Sequence, residues 1–443
     1  MKLITRQTFT AVSSLLPLLS YAGRKNTALA PTPPMGWMSW QRFRCTIDCQ
    51  EFPDDCINEK LIKETADRMA EDGWLEAGYD VVAIDDCWST HYRHPTTSRL
   101  VPDPVRFPSG MLALSRYIHS KGLKFGIYGD YGTFTCERYP GSMGFEKVDA
   151  QTFAEWEIDY LKFDGCFSSS EEQRIGYEMF GNFLNDTGRD VVYSCSYPAY
   201  LGGLPAQVDY KWLGSVCHQW RNYFDIDDSF YSLLKIIEWY GDHMDALRKF
   251  SGPGKWHDPD MLIVGNFGIT EWQAKIQMSI WAMLAAPLFM SNDLRNIDLA
   301  SKAILQNRAA IRVNQDPLGI PGYRIGSRAG FEMWAKPLEH NRFSIVIFSV
   351  RTDGNPRPFD FQVDFAKEFL APHMVMKEWY VVEDVWKDSP NRSKTPTVID
   401  ITEKLTIYLR PHSALMWILR PIGNEADLEG LPYRKRAKIR DTL

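Results

Sequence analysis

The sequence predicts an α/β chain: a (β/α)8 TIM barrel followed by a C-terminal antiparallel β-sandwich. From about residue 34 to about residue 290, short apolar runs alternate with longer stretches whose apolar residues recur at three- and four-residue spacing, the pattern of repeated βα units on a parallel sheet. Eight such runs can be counted, the number that closes a barrel. Beyond about residue 320 the period drops to two and long amphipathic stretches cease, as in sheets with one buried face.

In chain order, the barrel strands are expected at 35–40, 79–84, 123–128, 160–163, 191–194, 216–220, 260–264 and 287–290. Helical patterns fill the gaps, notably 58–71, 111–120, 171–184 and 271–284. The sandwich strands are expected at 331–335, 342–350, 359–363, 379–385, 397–401, 405–409 and 414–419. The domain boundaries follow: a barrel over 31–318, a sandwich over 319–420, and a charged tail over 421–443 that includes Arg434, Lys435 and Arg436 and is expected to extend over the surface or stay disordered.

Residues 1–30 read as a secretory leader, with Lys2 and Arg6 ahead of an apolar run too short to span a membrane. Two cleavage points compete within 22–30, one after Ala22 and one after Ala28-Leu29-Ala30. No other stretch is apolar enough for a transmembrane helix. Eight cysteines all fall between Cys45 and Cys217. Without tight Cys-x-x-Cys pairs beside histidines they read as disulfides ahead of zinc ligands, in keeping with an oxidising compartment, the lysosome or the cell exterior. Asn185 and Asn391 head Asn-x-Ser/Thr glycosylation sequons. The net charge of -6 gives no basic footprint for nucleic acid, whereas fifteen tryptophans suit a surface that stacks on sugar rings.

Chemistry concentrates where strands end, the catalytic face of such a barrel. Trp40, Asp85, Asp86, Tyr128, Asp130, Asp164, Ser196, Arg221, Asp225, Asp258 and Asp260 all lie at or just past a strand. Asp164 shares a strand face with Lys162, whose charge favours an ionised, nucleophilic carboxylate. Asp225 follows Arg221 and precedes Asp227, Asp228 and Ser229, which read as caps of the next helix, so Asp225 is left for proton transfer. Two such carboxylates are what hydrolysis of a glycosidic bond needs, one ionised to attack and one protonated to donate. Asp85 and Asp86 read as acceptors for sugar hydroxyls, with a calcium site as the competing reading. Trp40 and Tyr128 read either as ring-stacking groups or as core.

Six ordered segments resemble the melibiase-like glycosidases of glycoside hydrolase family 27, the lysosomal and secreted α-galactosidases and α-N-acetylgalactosaminidases. They are 34–40 (PMGWMSW), 84–88 (IDDCW), 126–128 (GIY), 161–166 (LKFDGC), 220–229 (WRNYFDIDDS) and 258–262 (DPDML). The resemblance implies retention of configuration, with Asp164 as nucleophile and Asp225 as acid/base about 5 to 5.5 Å apart. It implies a sugar site lined by Trp40, Asp85, Asp86, Tyr128, Lys162, Ser196, Ala199, Tyr200, Arg221 and Asp260, with no metal and no organic cofactor required. It also implies the disulfides Cys45–Cys87, Cys49–Cys56, Cys136–Cys166 and Cys195–Cys217, and a homodimer. Members that exclude a 2-acetamido group carry Glu and Leu where this chain has Ser196 and Ala199, so the chain resembles the N-acetylgalactosaminidase type. Small side chains there leave room for the acetamide, and galactose still fits with fewer contacts, which implies a weaker α-galactosidase activity. Strict α-galactosidase action is the runner-up, and a sugar-binding protein without turnover is disfavoured by the presence of both Asp164 and Asp225.

Overall fold

A computed structural model describes residues 25–26, 28–386, 397–429 and 431–440. The expected leader lies outside the described residues up to position 24, and so does the sequon at Asn391. Eight parallel strands form the barrel: β1 Met35–Met38, β2 Val81–Ile84, β3 Lys124–Asp130, β4 Tyr160–Asp164, β5 Val192–Cys195, β6 Gln219–Arg221, β7 Trp256–Asp258 and β8 Leu288–Met290. They pair in sequence order from β1 to β7, and β8 pairs with β1. Closure between β7 and β8 runs through Leu262, whose N–H donates to the Phe289 carbonyl at 2.7 Å while its own carbonyl accepts from Ser291 N at 3.0 Å.

Alternation along each strand sets what faces where. On β4, Leu161 and Phe163 point outward into the core shared with the helices, while Tyr160 joins Met38, Val81, Ala83, Met261 and Phe289 on the barrel axis. Lys162 and Asp164 therefore share the inward face, with Asp164 at the open end. Glycine is required where strands crowd: a Cβ on Gly36 would stand 2.6 Å from the Val81 carbonyl oxygen.

Two strands lie away from their expected places. The run 216–220 was expected as a strand, but Tyr210–Val216 is a helix capped by Asp209, whose side chain accepts from Trp212 N, and β6 begins only at Gln219. For β7 the expected run 260–264 follows the strand instead of forming it. Pro259 has no N–H to pair, and Asp260 takes a left-handed φ of 85°, so the ladder ends at Asp258. Both shifts place a charged residue, Arg221 or Asp258, as the last residue of its strand.

Beyond the barrel, β9 Tyr323–Arg328, β10 Phe331–Leu338, β11 Arg342–Ser349, β13 Trp379–Asp384, β14 Val398–Asp400 and β16 Ala414–Pro421 form an antiparallel sheet, faced by the pair β12 Arg357–Phe361 and β15 Leu405–Leu409. Phe331, Phe343, Ile345, Phe359, Phe361, Ile407 and Trp417 fill the space between the two layers. The sandwich is bolted to the barrel by fully buried Lys336, which donates to the Ala282 carbonyl at 2.9 Å and the Val313 carbonyl at 2.6 Å. Part of the charged tail is not extended: Tyr433–Arg440 is a helix that buries Ile439 against Trp379, Val398, Ile422 and Leu428. Two of its lysines tie it to the sandwich: Lys435 donates to the Val398 carbonyl at 3.0 Å and Lys438 bonds Asp400 at 3.0 Å.

The eight cysteines form Cys45–Cys87, Cys49–Cys56, Cys136–Cys166 and Cys195–Cys217, the pairing that the resemblance implies. No helix among the described residues is long and apolar enough to cross a membrane.

Candidate active site

Asp164 ends β4, and its carboxylate collects three donors: Tyr200 Oη at 2.6 Å and Gly165 N at 3.0 Å on Oδ1, and Tyr128 Oη at 3.2 Å on Oδ2. Gln173, on the helix Ser170–Asp186, fixes the strand end from behind by donating to the Gly165 carbonyl at 2.7 Å. Lys162 is not the direct partner that its spacing suggested. Its Nζ bonds Asp85 Oδ2 at 2.7 Å, and the ammonium also lies 5.3 Å from the Tyr128 ring centroid and 5.9 Å from that of Trp40. Burial works against the charge on Lys162, but Asp85, Asp164 and Asp225 outweigh it and hold its pKa above the ordinary lysine value.

Asp85 and Asp86 both turn inward through a staircase of local bonds. Asp86 N donates to Asp85 Oδ1 at 2.8 Å, and Cys87 N donates to Asp86 Oδ1 at 2.7 Å. Asp85 N in turn donates to Ser39 Oγ at 2.9 Å. Cys87 completes the bend with φ 74°, held by its disulfide to Cys45. Burial pushes the Asp86 carboxyl up to about 7, against the bonds it accepts from Cys87 and from Glu137 N, the latter at 3.1 Å.

Across the mouth, Arg221 reaches both Asp225, at 2.8 Å, and Asp260, at 2.9 Å. Asp260 also accepts from Ile226 N at 2.8 Å, so it anchors the loop that carries Asp225. The walls of the mouth resist ionisation of Asp225, but the charges of Arg221 and then Lys162 prevail and hold its pKa below the usual carboxylate value, although the side chain is 64% exposed. Of the three residues read as caps, only Ser229 caps the helix Phe230–Leu247. Asp228 instead accepts from Phe267 N and Gly268 N, each at 2.9 Å, and Asp227 faces Arg44 at 3.6 Å, since the loop folds back toward its neighbours before the helix starts.

Ser196 and Ala199 follow β5, with Tyr200 closing the short helix Tyr197–Tyr200. The Ser196 side chain does not cap that helix, and among the described residues it makes no hydrogen bond. Asp130 was noted at a strand end without a role. It is buried, lies in register with Asp164 across β3 and β4, accepts from Gly132 N at 2.6 Å and Cys166 N at 3.0 Å, and lies 3.3 Å from the Tyr128 hydroxyl, whose one proton it shares with Asp164. Burial, then the charge of Asp164, pushes its pKa well above the usual range. The grouping of Asp130, Cys136 and Cys166 offers no thiolate to a metal, because both cysteines are disulfide-bonded.

An arrangement of strand-end carboxylates about one lysine and one arginine suits attack on, and proton donation to, a neutral polyhydroxylated substrate. The family model described as alpha galactosidase A (melibiase) matches residues 32–316, and the model of its C-terminal β-sandwich matches 319–383. The chain belongs to the melibiase family. It is a glycoside hydrolase. The chain is 49% identical over 395 residues to a Gallus gallus protein named alpha-N-acetylgalactosaminidase, covering 89% of this chain and 94% of that one. It is 46% identical over 339 residues to Homo sapiens alpha-galactosidase A, covering 76% and 79%. Among solved structures, alpha-galactosidase I from Mortierella vinacea superposes with a TM-score of 0.76 at 28% identity, covering 89% of this chain and 98% of that one.

Proposed function

We propose that this chain is a retaining exo-glycosidase that removes terminal α-linked N-acetylgalactosamine from glycoconjugates, with weaker action on α-galactosides. Asp164 attacks the anomeric carbon to form a glycosyl ester, while Asp225 protonates the departing oxygen and then activates the water that releases the sugar. Asp85, Asp86 and Lys162 bind hydroxyls on one side, Arg221 holds Asp225, and Trp40 and Tyr128 lie against the ring. The observation that carries the GalNAc reading is the pair Ser196 and Ala199. A small side chain and a hydroxyl that bonds nothing among the described residues give the acetamide both room and a hydrogen bond. The Gallus gallus relative, named for this activity, supports it.

A strict α-galactosidase is the second reading, favoured by the family description and by the human alpha-galactosidase A relative. Incubation with chromogenic α-N-acetylgalactosaminide and α-galactoside separates the two. Faster release from the first is expected, faster release from the second would defeat the Ser196 and Ala199 argument, and release from neither would defeat the enzyme reading.

The proposal includes passage through the secretory pathway to the lysosome or the cell exterior, and assembly as a homodimer. Four disulfides and an exposed Asn185 sequon support the compartment. Leader cleavage after Ala22 is favoured over cleavage after Ala30, because Lys25 is part of the fold. Its buried ammonium donates to the carbonyls of Cys217 and Gly254, each at 2.6 Å, and of Gly214 at 3.2 Å. N-terminal sequencing of the secreted protein tests this, since a chain beginning at Pro31 would refute it.

A further inference from the structure

Phe134 and Phe167 stand on neighbouring loops, after β3 and β4, and each leaves close to half of its surface in solvent, 49% and 45%. Their rings meet edge to face with centroids 6.0 Å apart, and the Arg138 guanidinium lies 5.1 Å over the Phe167 ring. The group reaches the candidate nucleophile through a disulfide, a close sulfur contact and a hydrogen bond. Phe167 follows Cys166, which is bonded to Cys136; Cys166 Sγ lies 3.2 Å from the Tyr200 hydroxyl oxygen, and that hydroxyl donates to Asp164 at 2.6 Å.

The backbone here is held in an unfavourable state. Phe167 and Arg138 take φ values of 51° and 66°, in the left-handed region that side chains beyond glycine disfavour. The loops are tied by the Cys136–Cys166 disulfide and have no room to tighten, because Gly132 sits so close to the strand end that a Cβ would stand 1.6 Å from the Cys166 carbonyl oxygen. Folding by itself favours neither half-exposed phenylalanines nor left-handed backbone beneath them, and such strain gathers where a ligand binds.

We infer that Phe134, Phe167 and Arg138 form a subsite for the leaving group, taking the sugar ring to which the departing residue is linked. The inference rests on the glycosidase reading above. A pyranose offers an apolar C–H face to the aromatic rings and hydroxyls to the guanidinium, which donates from a fixed fork. A lipid chain is a poorer match, since exposed Arg138 and Glu137 interrupt the apolar surface.

The test compares wild type with Phe134→Ala, Phe167→Ala and the double variant on three α-N-acetylgalactosaminides: the glycosyl fluoride, a disaccharide and the octyl glycoside. The fluoride has no group to place on the rings, so it reports the catalytic machinery and the fold alone. On the disaccharide, kcat/KM of the double variant is expected to fall about tenfold, while on the fluoride it stays within about twofold of wild type. Equal losses on the fluoride and the disaccharide would make the rings structural and overturn the subsite. A loss confined to the octyl glycoside would overturn its sugar specificity, and no loss on any substrate would overturn it outright. If wild type cleaves none of the three, including the fluoride, the N-acetylgalactosamine reading fails and the same comparison on α-galactosyl fluoride and an α-galactosyl disaccharide decides the subsite; cleavage of neither sugar defeats the glycosidase reading and the subsite with it.

Discussion

Asp86 makes a sharp test of the site electrostatics, because one substitution should change how stability depends on pH. Its carboxyl is 3% exposed and is pushed up to about 7 by burial, whereas in the unfolded chain it titrates near 3.8. A carboxyl raised on folding adds stability that is fully present below the unfolded value and is lost as pH climbs to the folded value. At about 1.36 kcal/mol per pH unit, the interval from 3.8 to about 7 amounts to at most about 4 kcal/mol. For a domain of this size that is about 5 to 10 °C in the melting midpoint. Other buried acids also contribute: Asp258, raised to about 6 by burial against the charge of Arg221, acts in the same sense, while Asp225, held low, acts in the opposite one. The informative quantity is therefore the difference between wild type and Asp86→Asn, measured by calorimetry at a fixed scan rate from pH 4 to pH 8. The amide faces the N–H of Glu137 and costs some stability at every pH, which offsets one curve without tilting it. Wild type should lose several degrees more than the variant across this range. Parallel curves would show that Asp86 does not titrate there, and the account of its burial would be wrong.

Asp164→Asn should lower kcat by at least about 1000-fold while leaving binding of free N-acetylgalactosamine measurable by calorimetry, because the amide keeps the shape but cannot attack. Turnover within tenfold of wild type would remove Asp164 from its role. The alkaline limb of kcat/KM reports the acid/base group of the free enzyme. With Asp225 held below the usual carboxylate value by Arg221 and Lys162, kcat/KM should already decline as pH rises through the acidic range. A rate that climbs steadily to pH 8 would contradict the assignment.

Much of the architecture was legible in residue patterning, because both faces of barrel strands are buried and both kinds of helix-to-strand spacing survive in the sequence. The positions of β6 and β7 were not. The apolar runs at 216–220 and 260–264 looked like strands, yet the Asp209 cap extends a helix through Val216, and Pro259 with left-handed Asp260 stops pairing at Asp258. Ladder breaks of this kind depend on single residues that a hydrophobic pattern averages away. In the site, the acidic residues stood out because each lies at a strand end, whereas their partners did not. Asp85 and Lys162 are 77 residues apart, and Asp260 reaches Ile226 N over 34, so neither pairing has a local signature. Arg221 and Asp225, four residues apart, could be paired on sight. Tyr200, given a place in the sugar site by resemblance, proves to be a hydrogen-bond donor to Asp164, and Gln173 enters only because the helix after β4 packs back over the strand end.

Double displacement at Asp164 is the claim on which the rest depends, and the stereochemistry of the first product reports it most directly. Proton NMR during hydrolysis of an α-N-acetylgalactosaminide, recorded before mutarotation proceeds, should show the α-anomer appearing first. Initial appearance of the β-anomer would mean direct displacement by water, and the paired roles given to Asp164 and Asp225 would be contradicted.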